Sequence, residues 1–172
     1  KGLVTSDHVA THVDAIYHFN KHRPDLTIET FPLEHMFTSA VWVDVSHVKP
    51  RTHVQLDDIK RGLEKAGETL RPGDTFMYYT GVSEKWHDPF AFVTEYPGLS
   101  REATEWILDQ GVVNVCTDAV STDNPADITY PNHTVHGERL VVHTEMIANM
   151  NKIPVHRFQF LMMPLRLVGG TG

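Results

Sequence analysis

The sequence predicts an α/β fold with a mixed sheet, on three observations. Apolar residues recur at helical spacing in two segments, Leu56 to Ala66 and the stretch after Ser100. Runs of strand length and strand composition lie between and around them, at Ser39 to Val45, Thr75 to Thr80 and Val112 to Thr117. The two kinds of segment interleave at short intervals, which is the pattern of helices packed on a sheet.

In order, residues 19–37 read FNKHRPDLTIETFPLEHMF, a polar stretch punctuated by Pro24 and Pro32 that predicts a loop. His22 and His35 lie in it as solvated side chains. SAVWVDV from Ser39 to Val45 is β-branched and aromatic, hence a strand. His47 and His53 fall in a connection containing Pro50 and are assigned no metal role. Leu56, Ile59 and Leu63 form one helical stripe, Asp57 and Asp58 complement the dipole of its first turn, and Gly67 closes it in a left-handed cap. After the Pro72-Gly73-Asp74 turn, TFMYYT predicts a strand. TGVSEKWHDPF then breaks regularity, and its Trp86 and Phe90 either line a pocket or pack ordinarily.

Ser100 predicts an N-cap for a helix carrying Ala103, Trp106 and Ile107 on one stripe and ending at Gly111. Val112 to Thr117 reads as a buried strand. Asp118, Ser121 and Asp123 follow it and are read as turn formers. Leu140 to Val142 predicts another buried strand that delivers Glu145 to its end, and a last strand is expected over Phe158 to Met162.

Composition limits the function. The 172 residues carry a net charge of −7 and no Lys/Arg cluster, which argues against a nucleic-acid partner because phosphate binding needs a basic face. No apolar run approaches the roughly 20 residues that cross a bilayer, and the start lacks a signal-peptide pattern. Cys116, the single cysteine, excludes an intrachain disulfide, fits a reducing cytoplasm and, within VVNVC, reads as a buried structural thiol. Residues 1–172 are expected to form one domain. The chain opens on Lys1 rather than Met, so an upstream segment is conceivable.

From His8 to His18 the chain reads HVATHVDAIYH. If extended, its side chains alternate between two faces, so His8, His12, Asp14 and His18 share one and Val9, Thr11, Val13 and Ala15 the other. Three imidazoles and a carboxylate on one side suit a divalent cation such as zinc, manganese or iron. The plain alternative is a half-exposed strand in a chain with twelve histidines.

These four residues resemble the H-x-G-T-H-x-D-x3-H signature of the metal-dependent cyclase family, which includes bacterial kynurenine formamidase and isatin hydrolase, with Ala10 where the family usually has Gly. TGVSEKW, PGLSREATEWI, CTDAVSTD and MPLRLVGGTG resemble further family motifs, with Val82 in place of a Trp. The resemblance implies a swivelling β/β/α domain with a barrel-like mixed sheet, and dimers or larger homo-oligomers. Relatives also carry strands before the metal motif that this chain lacks. His133 and Glu145 have the spacing of the family's remote His and Glu, whereas His136 and His143 match no functional position and are read as structural or solvated.

By this resemblance His8, His12 and Asp14 hold a first divalent ion, zinc or manganese. Asp14, His133 and Glu145 hold a second or complete the acid/base shell, and His18 is the catalytic acid/base. The implied reaction is hydrolysis of an amide, lactam or related bond in a small substrate such as N-formylkynurenine or isatin, by water activated on the ion. Two alternatives remain, a metal-dependent lyase or ring-forming enzyme and a non-catalytic metal-binding module. No G-x-S-x-G nucleophile motif competes.

Overall fold

The computed structural model describes Gly2 and residues 4–172. Eight strands run β1 (His12–Asp14), β2 (Phe37–Asp44), β3 (His53–Val54), β4 (Thr75–Tyr79), β5 (Gly98–Leu99), β6 (Asn114–Thr117), β7 (Val142–Glu145) and β8 (Arg157–Leu161). Five helices lie among them: α1 (Ile16–Phe19), α2 (Leu56–Ala66), α3 (Pro89–Thr94), α4 (Arg101–Asp109) and α5 (Pro131–Arg139). Six strands form one mixed sheet in the order β1-β7-β6-β4-β2-β8, and β3 pairs with β5 beside it. The four central strands are parallel, and β1 and β8 run antiparallel at the ends.

Alternation along the parallel strands covers both faces. Val41, Val43, Phe76, Tyr78 and Val115 turn to one side, where they meet Ile59 and Leu63 of α2, Ala103 and Ile107 of α4 and Val135 of α5. Ala40, Met77, Tyr79 and Cys116 turn to the other and are covered by Met150 and Phe158. Runs buried on both faces read as continuously apolar, which is why these strands were legible. The caps also follow the sequence. Ser100 accepts from the Ala103 N–H, Gln55 and Asp58 form a reciprocal capping box on α2, and Gly67 sits at φ +67°.

The sheet is not closed by a β1/β8 ladder among the described residues. Its two ends nevertheless converge on one cavity of about 410 Å³, lined by Thr11, His12 and Val13 on one side and Phe160, Leu161 and Met162 on the other. The curvature accords with the barrel-like mixed sheet expected.

Four local expectations are corrected. The extended run from His8 to His18 shortens to β1, because Ala10 turns into the left-handed region at φ +54° and Ala15 caps the single helical turn α1. The loop over 19–37 contains two 3-10 turns, Ile28–Thr30 and Leu33–Met36. The strand expected over Leu140 to Val142 lies instead at Val142–Glu145, since Leu140 is the left-handed C-cap of α5. Trp86 and Phe90 are exposed and line neither of the two described cavities.

Candidate metal centre

Two antiparallel strands build the floor of the site. In the β1/β7 pair His12 stands opposite Glu145 and Asp14 opposite His143. Both pairs lie on one face, since residues two apart in a strand point the same way. The 1% exposed Asp14 carboxylate is the centre: His8 Nδ1 lies 2.7 Å and His12 Nε2 3.1 Å from Oδ1, with His143 Nε2 2.8 Å from Oδ2.

The remaining groups arrive from other elements. The bend at Ala10 swings His8 back over the strand. The turn of α1 places His18 four residues beyond Asp14, with Nε2 3.7 Å from Oδ2. Helix α5 contributes His133, whose Nε2 lies 3.9 Å from the same oxygen. Glu145 Oε2 is 3.8 Å from His12 Nε2, and Oε1 is 3.3 Å from His143 Nε2.

Two sets of ligand atoms emerge, each with all members within 4.8 Å of one another: His8, Asp14 and His18, and Asp14, His133, His143 and Glu145. Asp14 belongs to both. Asp14 Oδ1 has no partner of hydrogen-bonding geometry despite the short approaches of His8 and His12. Nitrogens that crowd an oxygen without pairing to it converge on a point rather than on each other. Every ion-pair partner of Asp14 and Glu145 among the described residues is a histidine. A donor set of neutral nitrogens and carboxylate oxygens, with no competing ammonium or guanidinium, fits a divalent cation.

The ring nitrogens facing away from Asp14 sort the histidines. A ligating imidazole normally donates its other N–H to an oxygen, which fixes the tautomer. Three have such an acceptor: His12 Nδ1 with the Ala10 carbonyl at 2.9 Å, His8 Nε2 with Thr171 Oγ1 at 2.9 Å and His133 Nδ1 with Asp123 Oδ2 at 2.6 Å. His143 differs, because its Nδ1 is buried without a partner while its Nε2 meets Asp14. That arrangement suits a donor to Asp14 better than a ligand. His136 is further removed, with Nδ1–H donating to the Val141 carbonyl at 2.7 Å and Nε2 buried without a partner.

Electrostatics follow from burial. Desolvation acts to raise the Asp14 carboxyl, but the neighbouring imidazoles of His12, His143 and His8 outweigh it and hold the group well below the usual carboxylate range. Glu145 goes the other way, pushed far up by burial and then by the charge of Asp14, against the Thr122 N–H. Burial drives the His18 imidazole down to about 4, with Asp14 opposing and His8, His133 and His143 reinforcing. Two buried carboxyls at this separation resist joint ionisation, and a cation between them removes that resistance.

All six residues singled out in the sequence, His8, His12, Asp14, His18, His133 and Glu145, lie at this cluster. Two others do as well. His143, read as structural or solvated, is fully buried against Asp14; had the strand been extended to Glu145, its period of two would have put His143 on the same face. Asp123, read as a turn former, holds His133, a contact for which the sequence carries no local signal.

Fold and cluster together define a class: a mixed α/β protein carrying a histidine and carboxylate centre suited to a divalent ion. Comparison with known proteins places it further. The cyclase family model matches residues 1–124. Kynurenine formamidase of Salinibacter ruber is 31% identical over 175 residues, covering 98% of this chain and 73% of that protein. Isatin hydrolase of Roseibium aggregatum is 23% identical, covering 99% and 70%. The fold matches that of an isatin hydrolase bound to the product analogue thioisatinate, with a TM-score of 0.87 at 22% identity over 98% of this chain and 70% of that one. The chain belongs to the cyclase family.

Proposed function

We propose that the protein is a metal-dependent hydrolase cleaving a C–N bond of a small amide or lactam, an arylformamide or isatin-like compound being the favoured substrate. The observation that carries this is the position of Asp14 at the junction of two ligand sets, beside which His12 Nε2 lies 3.1 Å from Asp14 Oδ1; His18 and His143, also members of those sets, are given other roles on their exposure and outer nitrogens. His8, His12 and Asp14 would hold one zinc or manganese ion, and Asp14, His133 and Glu145 a second where two are bound. When bound, the metal polarises the substrate carbonyl and lowers the pKa of water.

The chain supplies the remainder. His18 is half-buried, neutral at pH 7 because burial depresses its pKa, and its ring lies 4.2 Å from that of His8. Of the imidazoles around Asp14 it has the most open side chain, 33% against 23% for His8, which leaves it free to take a proton from attacking water and return it to the departing nitrogen. Phe19 stands 6.1 Å from His18 and 5.8 Å from His133, and Tyr130 6.1 Å from His133. These rings flank the cluster and support an aromatic substrate.

This reading treats residues 1–172 as one domain acting on a small molecule, in the cytoplasm and as a homo-oligomer. The buried, free Cys116 supports a reducing compartment. The apolar, exposed sequence Leu161, Met163, Leu165 and Leu167 supports self-association, because alternate positions facing water are ordinarily polar. No helix among the described residues is long and apolar enough to cross a membrane.

The test is a pair of variants assayed on N-formylkynurenine, isatin and a panel of cyclic amides, with metal content measured alongside. His18→Ala is expected to lose about 10²-fold or more in kcat while keeping its metal, and Asp14→Ala to lose the metal itself. Equal metal loss in both would move His18 from proton transfer to ligation. A metal-loaded wild-type protein inert toward the whole panel would overturn the hydrolase.

A further inference from the structure

We infer that Asp123 is a positioning residue that fixes the tautomer of His133, as part of a short turn that also holds Glu145. The inference rests on the proposal that His133 is a metal ligand. Asp123 lies ten residues before His133, just beyond β6, and is 2% exposed. Its Oδ1 accepts the Asn132 N–H at 2.7 Å, and its Oδ2 accepts both the His133 N–H at 3.1 Å and the His133 Nδ1–H at 2.6 Å. The carboxylate therefore caps the first turn of α5, whose adjoining residue Tyr130 provides no side-chain cap, and binds the ring of the third residue of that helix.

The consequence is chemical. With Nδ1 protonated and tied to Asp123, the lone pair of His133 is on Nε2, the nitrogen directed at Asp14. The opposite tautomer would present a proton there. The turn is itself anchored: Ser121 Oγ accepts the Asp123 N–H at 3.1 Å, and Asn132 Nδ2 donates to the Thr122 carbonyl at 2.8 Å. Between these, the Thr122 N–H donates to Glu145 Oε1 at 3.2 Å. One turn thus reaches two members of the candidate ligand set, one through a side chain and one through the backbone.

Asp123→Asn separates positioning from capping. Asparagine is as good an N-cap as aspartate, but has one acceptor for three donors. With its oxygen on the Asn132 N–H, its amide faces His133 Nδ1, which must then accept, and the proton moves to Nε2. In metal-free protein, nitrogen NMR of the imidazoles is expected to show His133 as the Nδ1–H tautomer in the wild type and Nε2–H in Asp123→Asn. Calorimetric titration with zinc and with manganese is expected to show affinity falling roughly 10–100-fold. Asp123→Ser, which can cap but lacks a carboxylate, should lose affinity similarly.

A folded Asp123→Asn that binds both metals within twofold of the wild type, or loses affinity with its tautomer unchanged, overturns the role. Failure of both variants to fold overturns it too, by making Asp123 a fold residue. A wild-type protein that binds neither metal sinks the metal centre instead, and the tautomer measurement still stands by itself.

Discussion

At the scale of single residues, chemical type says less than which atom of a side chain is already engaged. His12 and His143 are both buried imidazoles on the β1/β7 face, both near Asp14 and Glu145. They differ in the outer nitrogen, engaged in His12 and orphaned in His143. A residue whose part is to donate Nε2–H to Asp14 can be replaced by an amide donor, and a ligand cannot be replaced by a methyl group. His143→Gln is therefore expected to retain its metal through gel filtration, whereas His12→Ala is expected to lose it, with metal analysis as the readout. Metal loss from both in equal measure would make His143 a ligand. Of these two, only His12 was legible beforehand, through the parity of a motif seven residues long from His8 to Asp14; His143 carries no motif and gains its place from pairing across 129 positions of sequence.

Among elements, the turn over residues 121–124 shows how tightly backbone is fitted behind the site. A Cβ on Gly98 in β5 would overlap the Asn124 backbone nitrogen, so that strand presses on the turn carrying Asp123. Gly67 also resists substitution, but for a different reason, since it stands in open space at φ +67° and only the left-handed backbone disfavours a side chain. Gly67→Ala should cost about 1 kcal/mol in urea titration and leave metal affinity intact. Gly98→Ala should cost about 1–3 kcal/mol through overpacking and weaken metal binding as the turn moves. Equal metal affinity in the two would show that β5 does not support the site. The contrast also marks what sequence can reveal of an element. The cap at Gly67 and the stripe of α2 are local and were legible, as was Ser100 at the head of α4. Helix α5 was not, because its cap comes from Asp123 and its first residues combine a left-handed Tyr130 with Pro131 and a cluster of histidines, none a strong helix signal.

For the whole molecule, the sheet was legible because its central strands are buried on both faces. The site was legible in part because one motif supplies four of its groups. What the sequence concealed was the convergence of distant ones, and that convergence determines how the protein responds to pH. Three imidazoles have pKa values depressed in the folded state, each chiefly by burial: His18 to about 4, with His136 and His143 also below the ordinary value. His12 is shifted upward, because Asp14 and the Ala10 carbonyl outweigh its burial. A depressed histidine is protonated in the unfolded chain before it is protonated in the fold, so between about pH 6.5 and 4 unfolding takes up protons and acid favours it. The raised histidine acts in the opposite sense, contributing stability that is present below 6.5 and lost as pH climbs through its folded value. The Glu145 carboxyl, raised by burial, also opposes acid unfolding across this window, so three against two gives the sign: chelated, metal-free protein should lose thermal stability as pH falls from 6.5 toward 4. Zinc should raise the midpoint at the mild end of that window, but because the ligand imidazoles that it holds deprotonated take up protons on unfolding, the loss on acidification should be steeper, and the curve should converge on the metal-free one as acid releases the ion. Melting curves at half-unit pH steps with and without zinc test this. A metal-free midpoint that stays level or rises on acidification would mean that the buried imidazoles are already charged in the fold.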